Sequence, residues 1–248
     1  PYLSRGLGDV YKRQGKHFAT REKFYPTLFV DSKRKSKYKT LDGLPVEPVE
    51  PGTVRDCREF IKKYNEVENF NIYGNERYIY QYISEKYPEV EVKFDTEKIK
   101  LTTIDIEVAS ENGFPDVESC AEEVLLITLQ DYATKQIRTW GRGAFNNKQD
   151  NVIYKGFNTE YELLTDFIHW WMIEDNTPEV ITGWNSKLYD IPYLCRRIDR
   201  ILGEKLKKRM SPWGLVTEEE TYISGRKHLS YDIGGVSQLD YLDLYKKF

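Results

Sequence analysis

A chain of 248 residues has room for one large domain or two modest ones, and 40% apolar with 31% charged residues excludes a disordered or fibrous chain. A formal net charge of −3 excludes a global basic signature of nucleic-acid binding, so any such surface has to be local. Three scattered His, and three Cys (Cys57, Cys120, Cys195) without CxxC spacing, argue against a zinc site and for a reducing compartment; no apolar run nears the ~20 residues that span a bilayer.

The chain does not begin with Met, and Asp9-Val10-Tyr11-Lys12-Arg13-Gln14 looks like translated transposon-end sequence from library preparation. Residues 1–14 are therefore expected to be a sequencing scar, foreign to the fold, on a fragment of a longer gene. Phe18 to Val30 reads as strand material, with Phe24 to Val30 its apolar heart. Lys33, Arg34, Lys35, Lys37 and Lys39 form a short basic run before the Asp42-Gly43 turn, in the manner of a solvated loop. Pro45, Pro48 and Pro51 predict an extended connector over 44–52. Val54 to Tyr64 has the pattern of an amphipathic helix, Asn75 to Tyr87 that of a second, and Glu89 to Leu101 alternates into the next strand. Residues 15–100 are thus expected to form a small α+β module.

The stretch Thr102-Thr103-Ile104-Asp105-Ile106-Glu107-Val108 has the two-residue period of a strand. Ile104, Ile106 and Val108 share one face. Asp105 and Glu107 share the other, roughly 6 to 7 Å apart, where two charges repel by about 3 kcal/mol at an effective dielectric near 20. Carboxylates so placed suit Mg²⁺ or Mn²⁺, which take hard oxygen ligands; an edge strand with a solvated acidic face carries the same letters. Val124 to Asp131 and Gln136 to Trp140 continue as an antiparallel meander, with a turn at Gly141-Arg142-Gly143 and a short strand at Val152 to Tyr154. Thr159 to Glu162 is a capping box ahead of a helical stripe of Leu163, Leu164, Phe167, Ile168 and Trp171, on which His169 reads as structural. Glu179 to Asn185 is a strand running into a turn, and Tyr193 to Leu202 a helix burying Leu194, Ile198, Ile201 and Leu202. Asp190, just before Ile191-Pro192, suits a helix cap. Read with Asn185 and the Asp-x-Glu strand, it also suits a third carboxylate of a two-metal site. Arg196, Arg197, Arg200, Lys205, Lys207, Lys208 and Arg209 make this the most basic region. Thr221 to Ser230 has a hairpin pattern centred on Ser224-Gly225-Arg226, and Val236 to Leu244 reads as a strand.

Together, Ile104-Asp105-Ile106-Glu107, Gly113-Phe114-Pro115, Thr182-Gly183-Trp184-Asn185, Tyr189-Asp190-Ile191-Pro192-Tyr193, Ile201-Leu202-Gly203-Glu204, Ser211-Pro212 and the closing Leu239 to Phe248 resemble the family B DNA polymerases, in particular those of T-even-like bacteriophages. The likeness is dense after residue 100 and thin before it. It implies an α/β fold: a ribonuclease-H-like 3′→5′ proofreading exonuclease domain over 101–248, its mixed β-sheet flanked by helices, after a smaller α+β N-terminal domain over 15–100. It implies that Asp105, Glu107 and Asp190 are catalytic and ligate two Mg²⁺ or Mn²⁺ ions. It implies Phe114, Asn185 and Arg226 as contacts to DNA, Phe114 stacking beside the frayed 3′ end of the primer and the Arg226 hairpin helping to part primer from template. Loop packing is the plainer role for Phe114.

The family's Tyr-x-x-x-Asp motif, source of a fourth carboxylate, is expected beyond Phe248, as is the polymerase palm. Tyr38 to Asp42 fits the letters but lies upstream, in the wrong domain. The leading expectation is therefore a C-terminally incomplete polymerase that acts in DNA replication in the bacterial host cytoplasm, away from membranes. The isolated chain is expected to be inactive, its missing polymerase region supplied in cis or in trans. An alternative is a natural subunit of a split polymerase that binds DNA and assembles with a partner chain. A standalone exonuclease is disfavoured, because its last motif would have to lie within the chain.

Overall fold

The computed structural model describes residues 7–13, 16–74, 76–88, 99–111, 113–173, 175–223 and 225–247, and divides the chain into two compact units, 1–94 and 95–248. In the first unit, β1 (Leu7–Arg13) and β2 (Lys16–Glu22) form an antiparallel hairpin, so part of the stretch set aside as foreign is a strand. β3 (Leu28–Asp31), β4 (Tyr38–Lys39), β5 (Pro45–Val49) and β6 (Ile72–Tyr73) form an antiparallel sheet of order β4-β5-β3-β6. The proline-marked connector is thus a strand for much of its length. Pro48 is tolerated because β4 pairs only with Val46 and Pro45, leaving that side of β5 open beyond them.

Helix α1 (Val54–Tyr64) follows the sequence reading and begins at a capping box: the Thr53 hydroxyl accepts from the Asp56 N–H, and the Asp56 carboxylate accepts from the Thr53 N–H at 2.8 Å. α2 (Tyr78–Lys86) is shorter than the 75–87 expected. Leu28, Val54, Cys57 and Tyr78 form this unit's core. The alternating stretch expected from Glu89 lies outside the described residues as far as 98.

The second unit runs through β7 (Leu101–Val108), β8 (Val124–Asp131), β9 (Ile137–Arg142), β10 (Val152–Phe157), α3 (Glu160–Trp171), β11 (Val180–Gly183), α4 (Asp190–Leu202), α5 (Glu204–Lys207), β12 (Val216–Ile223), β13 (Arg226–Ile233), β14 (Ser237–Asp240) and α6 (Tyr241–Lys247). Six strands make one mixed sheet of order β10-β9-β8-β7-β11-β14. β7, β8 and β9 form the expected antiparallel meander, while β9–β10, β7–β11 and β11–β14 pair in parallel. β12 and β13 form the separate expected hairpin. The α3 capping box is also present, with Thr159 and Glu162 exchanging side-chain-to-backbone bonds at 3.1 and 3.2 Å.

Several expectations about boundaries need correction: β9 continues through Gly141 and Arg142, where a turn was expected, β10 runs on to Phe157, and the β12–β13 hairpin is longer than Thr221 to Ser230. Val236 to Leu244 is not one strand: β14 ends at Asp240, whose carboxylate accepts from the Leu242 N–H at 2.9 Å and turns the chain into α6. α4 begins at Asp190 rather than Tyr193.

Ile104 and Ile106 on one face of β7 join Ile127, Leu163, Phe167, Leu194 and Ile198 in a single core, which places the Asp105 and Glu107 side chains on the exposed face. β11 meets β7 only over Val180–Thr182 against Leu101–Thr103. The approach beyond is tight: a Cβ at Gly183 would stand 2.7 Å from the Ile104 carbonyl oxygen.

Arg197, part of the most basic region of the sequence, is buried. Its guanidinium grips both Glu160 oxygens at 2.6 and 2.7 Å and donates to the Cys120 and Ala121 carbonyls, while Glu160 also accepts from the Val124 N–H. Replacing Glu160 by Ala leaves the guanidinium buried without its counter-charge. Urea unfolding of Glu160→Ala is expected to show a loss of about 3–5 kcal/mol, the cost of an uncompensated buried charge; a loss near zero would deny the pair its structural role.

Candidate functional site

β11 diverges from β7 after Thr182, so the Ile106 N–H has no strand partner on that side. Asp190, the first residue of α4 and only 4% exposed, fills the gap: its Oδ1 accepts from the Ile106 N–H at 3.0 Å. The α4 N-cap is Tyr189 and makes no side-chain capping bond, so Asp190 is not the helix cap that its position before Ile-Pro suits. Its side chain reaches across to the backbone between Asp105 and Glu107. A register shift between Glu107 and Val108, opposite Leu126 and Val124, leaves Leu125 of β8 as an unpaired extra residue directly after the second carboxylate.

Burial pushes the Asp190 carboxyl up to about 6; the Ile106 N–H works against this, and the negative charges of Asp105 and Asp240 add to it. The neighbouring phenol of Tyr189 is also pushed up, to about 12, by burial and by the charge of Asp190. Its ring lies 4.9 Å from that of Phe114 and 5.7 Å from that of Tyr193, whose hydroxyl donates to the Glu122 carbonyl at 2.8 Å. Phe114 itself is 83% exposed, an aromatic face propped on the Tyr189 ring.

Asn185 has a left-handed backbone (φ 59°), and its N–H donates to Asp240 Oδ1 at 2.9 Å. Arg226 opens β13 opposite Ile223. Ser224 and the side chain of Arg226 lie outside the described residues. Asp190 is thus brought to the Asp-x-Glu strand, Phe114 to Tyr189 and Asn185 to Asp240.

The arginines of the basic region point elsewhere. Arg196 bonds the Glu118 carbonyl and the Glu218 carboxylate, and Arg200 bonds the Ser119 and Cys120 carbonyls. Together with Arg197 they knit the 118–121 segment onto α4. Asp240 and the Arg197–Glu160 pair are the residues that sequence reasoning passed over. A lone Asp at a strand end and an Arg inside a basic run carry no local mark of burial.

Among the described residues no group of three or more His, Cys, Asp and Glu side chains is placed to hold a metal ion. The donor set nonetheless suits a hard divalent cation. Every donor is a carboxylate oxygen, and the charge of Asp105 raises the carboxyl of Asp190, a repulsion that a cation relieves.

With this geometry in place, comparison with known proteins is unambiguous: a family model for the exonuclease domain of DNA polymerase family B matches residues 57–248, and the chain belongs to that family. Over 260 residues it is 31% identical to the DNA-directed DNA polymerase of Enterobacteria phage T4, covering 94% of this chain and 28% of that protein. The polymerase of Escherichia phage RB69 is 30% identical over 92% of the chain, again 28% of the relative. The DNA polymerase catalytic subunit of Human herpesvirus 6A is 33% identical over 58% of the chain and 15% of its own length. The chain therefore spans less than a third of the length of these relatives. Among the described residues no helix is long and apolar enough to cross a membrane.

The raised Asp190 carboxyl makes stability depend on pH in a definite direction. A carboxyl whose folded pKa lies above its ordinary value stabilises the fold below that value and loses the contribution as pH rises towards about 6. In chelator-treated buffer, Asp190→Asn is therefore expected to be more stable than wild type at pH 7 by about 2–3 kcal/mol, and equal to it near pH 4. Denaturant midpoints across pH 4 to pH 7 measure this, and a pH-independent difference would contradict the assigned burial.

Proposed function

We propose that the chain is the amino-terminal part of a DNA-directed DNA polymerase of family B, acting in replication in the cytoplasm of a phage's bacterial host. Residues 101–248 carry most of its 3′→5′ proofreading site in a ribonuclease-H-like domain. Residues 15–100 form its N-terminal domain, and residues 1–14, although 7–13 pair with β2, are foreign to it. The observation that carries this reading is the hydrogen bond from the Ile106 N–H to Asp190, because it ties the third carboxylate to the strand that bears the other two.

The substrate in this reading is the single-stranded 3′ end of a primer. Asp105, Glu107 and Asp190 are the residues that would hold two Mg²⁺ or Mn²⁺ ions, which stabilise the attacking and leaving oxygens of an in-line displacement. Phe114, braced by Tyr189, offers its exposed ring to a terminal base, a stacking contact typically worth about 1–3 kcal/mol. Asn185 shapes the turn before α4, and the hairpin bearing Arg226 parts the primer end from its template.

Two outcomes follow. In the complete polymerase, Asp105→Ala combined with Glu107→Ala abolishes digestion of single-stranded DNA and spares primer extension; loss of both activities in a folded protein would overturn the roles of these carboxylates. The 248-residue chain alone, which has no Tyr-x-x-x-Asp sequence in residues 101–248 to supply a fourth carboxylate, digests single-stranded DNA little or not at all in Mg²⁺. Substantial digestion by the purified chain would show that its own residues complete the site.

A further inference from the structure

The exonuclease reading gives no work to Asp240, yet few side chains in the second unit are so thoroughly engaged. It is buried (6% exposed) at the end of β14, where it pairs with Gly183 of β11. Oδ1 accepts from the Asn185 and Leu242 N–H groups and Oδ2 from the Lys187 N–H, each at 2.9 Å. One carboxylate thus satisfies three backbone donors on two segments: the turn that leaves β11 and the first turn of α6.

The first of these segments leads straight to the site. From Asn185 the chain makes a helical turn in which the Asn185 carbonyl accepts from the Leu188 and Tyr189 N–H groups and the Ser186 carbonyl from that of Ile191. Asp190 is the next residue, and its carboxylate is held against Ile106. The left-handed backbone of Asn185 aims its own N–H at Asp240, so loss of that acceptor would leave a donor in a part-buried place where water replaces it poorly.

We propose that Asp240 is a positioning residue for Asp190: by clamping the Asn185–Lys187 turn to the end of β14, it sets where the Asp190 carboxylate stands beside the Asp-x-Glu strand. Its catalytic consequence rests on the exonuclease reading; its structural content does not. With all three donors seated on it, Asp240 acts through the backbone rather than on substrate.

The test compares wild type, Asp240→Asn and Asp240→Ala by amide hydrogen exchange on this chain and by single-stranded DNA digestion with the complete polymerase. In Asp240→Ala the Asn185 and Lys187 amides are expected to exchange about tenfold faster or more, and the Ile106 amide, which reports the seat of Asp190, to follow them, while Phe167 in α3 is unchanged. Asp240→Asn keeps an oxygen for Asn185 and Leu242 and falls between. In the polymerase, Asp240→Ala lowers kcat for digestion about tenfold or more with little change in KM or in primer extension, and Asp240→Asn restores much of it.

An unchanged Ile106 amide beside quickened turn amides overturns the proposal, as does digestion by Asp240→Ala at the wild-type rate. Should Asp240→Ala fail to fold, the Lys187 and Ile106 amides of Asp240→Asn decide. Should wild-type polymerase digest no single-stranded DNA, the exonuclease reading falls, and the Ile106 amide still decides whether Asp240 holds Asp190.

Discussion

The arrangement depends on one backbone donor. Where β11 parts from β7, the Ile106 N–H would be buried without an acceptor, a cost of about 1–3 kcal/mol. Asp190 supplies the acceptor. Local backbone accounting and the approach of Asp190 to the Asp-x-Glu strand are therefore one event: the strand end is completed by a third residue's side chain. Open α/β sheets favour ligand sites at the carboxyl ends of their parallel strands, where neighbours diverge. β7, β11 and β14 present Asp105 with Glu107, the Asn185 turn and Asp240 at those ends.

Much of this was legible as periodicity. The alternation from Thr102 to Val108 separates core from acid face without ambiguity, because one face is deeply buried and register cannot slip. The two capping boxes and the α1 boundaries could be read for a related reason: caps are local, and local chemistry is written in adjacent letters. What escaped was set by partners distant in sequence. The prolines of β5 argue for a connector until the short reach of β4 is known. Asp190 suits both a cap and a third carboxylate as letters, and only the Ile106 donor 84 residues upstream decides against the cap. β14 and α6 merge into one apparent strand because the break rests on a single Asp.

The basic region teaches a similar lesson about charge. Arg196, Arg197 and Arg200 share an arc of α4, in the most basic region of the sequence. In place, they bind carbonyls of the 118–121 segment and the carboxylates of Glu160 and Glu218. Guanidinium groups suit this work, since a planar fork serves several acceptors at once. The segment they fix lies, along the chain, between the loop of Phe114 and β8, so these charges hold that connection onto α4.

Gly183 makes the domain intolerant of substitution at one uncharged position. A methyl group there would touch no carboxylate and alter no charge, yet it would press on the Ile104 carbonyl and on Ser186. β11 would have to retreat, and with it the turn and the helix that hang from its end. An alanine there would shift the turn that leads to Asp190 while leaving every acidic side chain in the sequence, so no inventory of acidic residues would reveal the change.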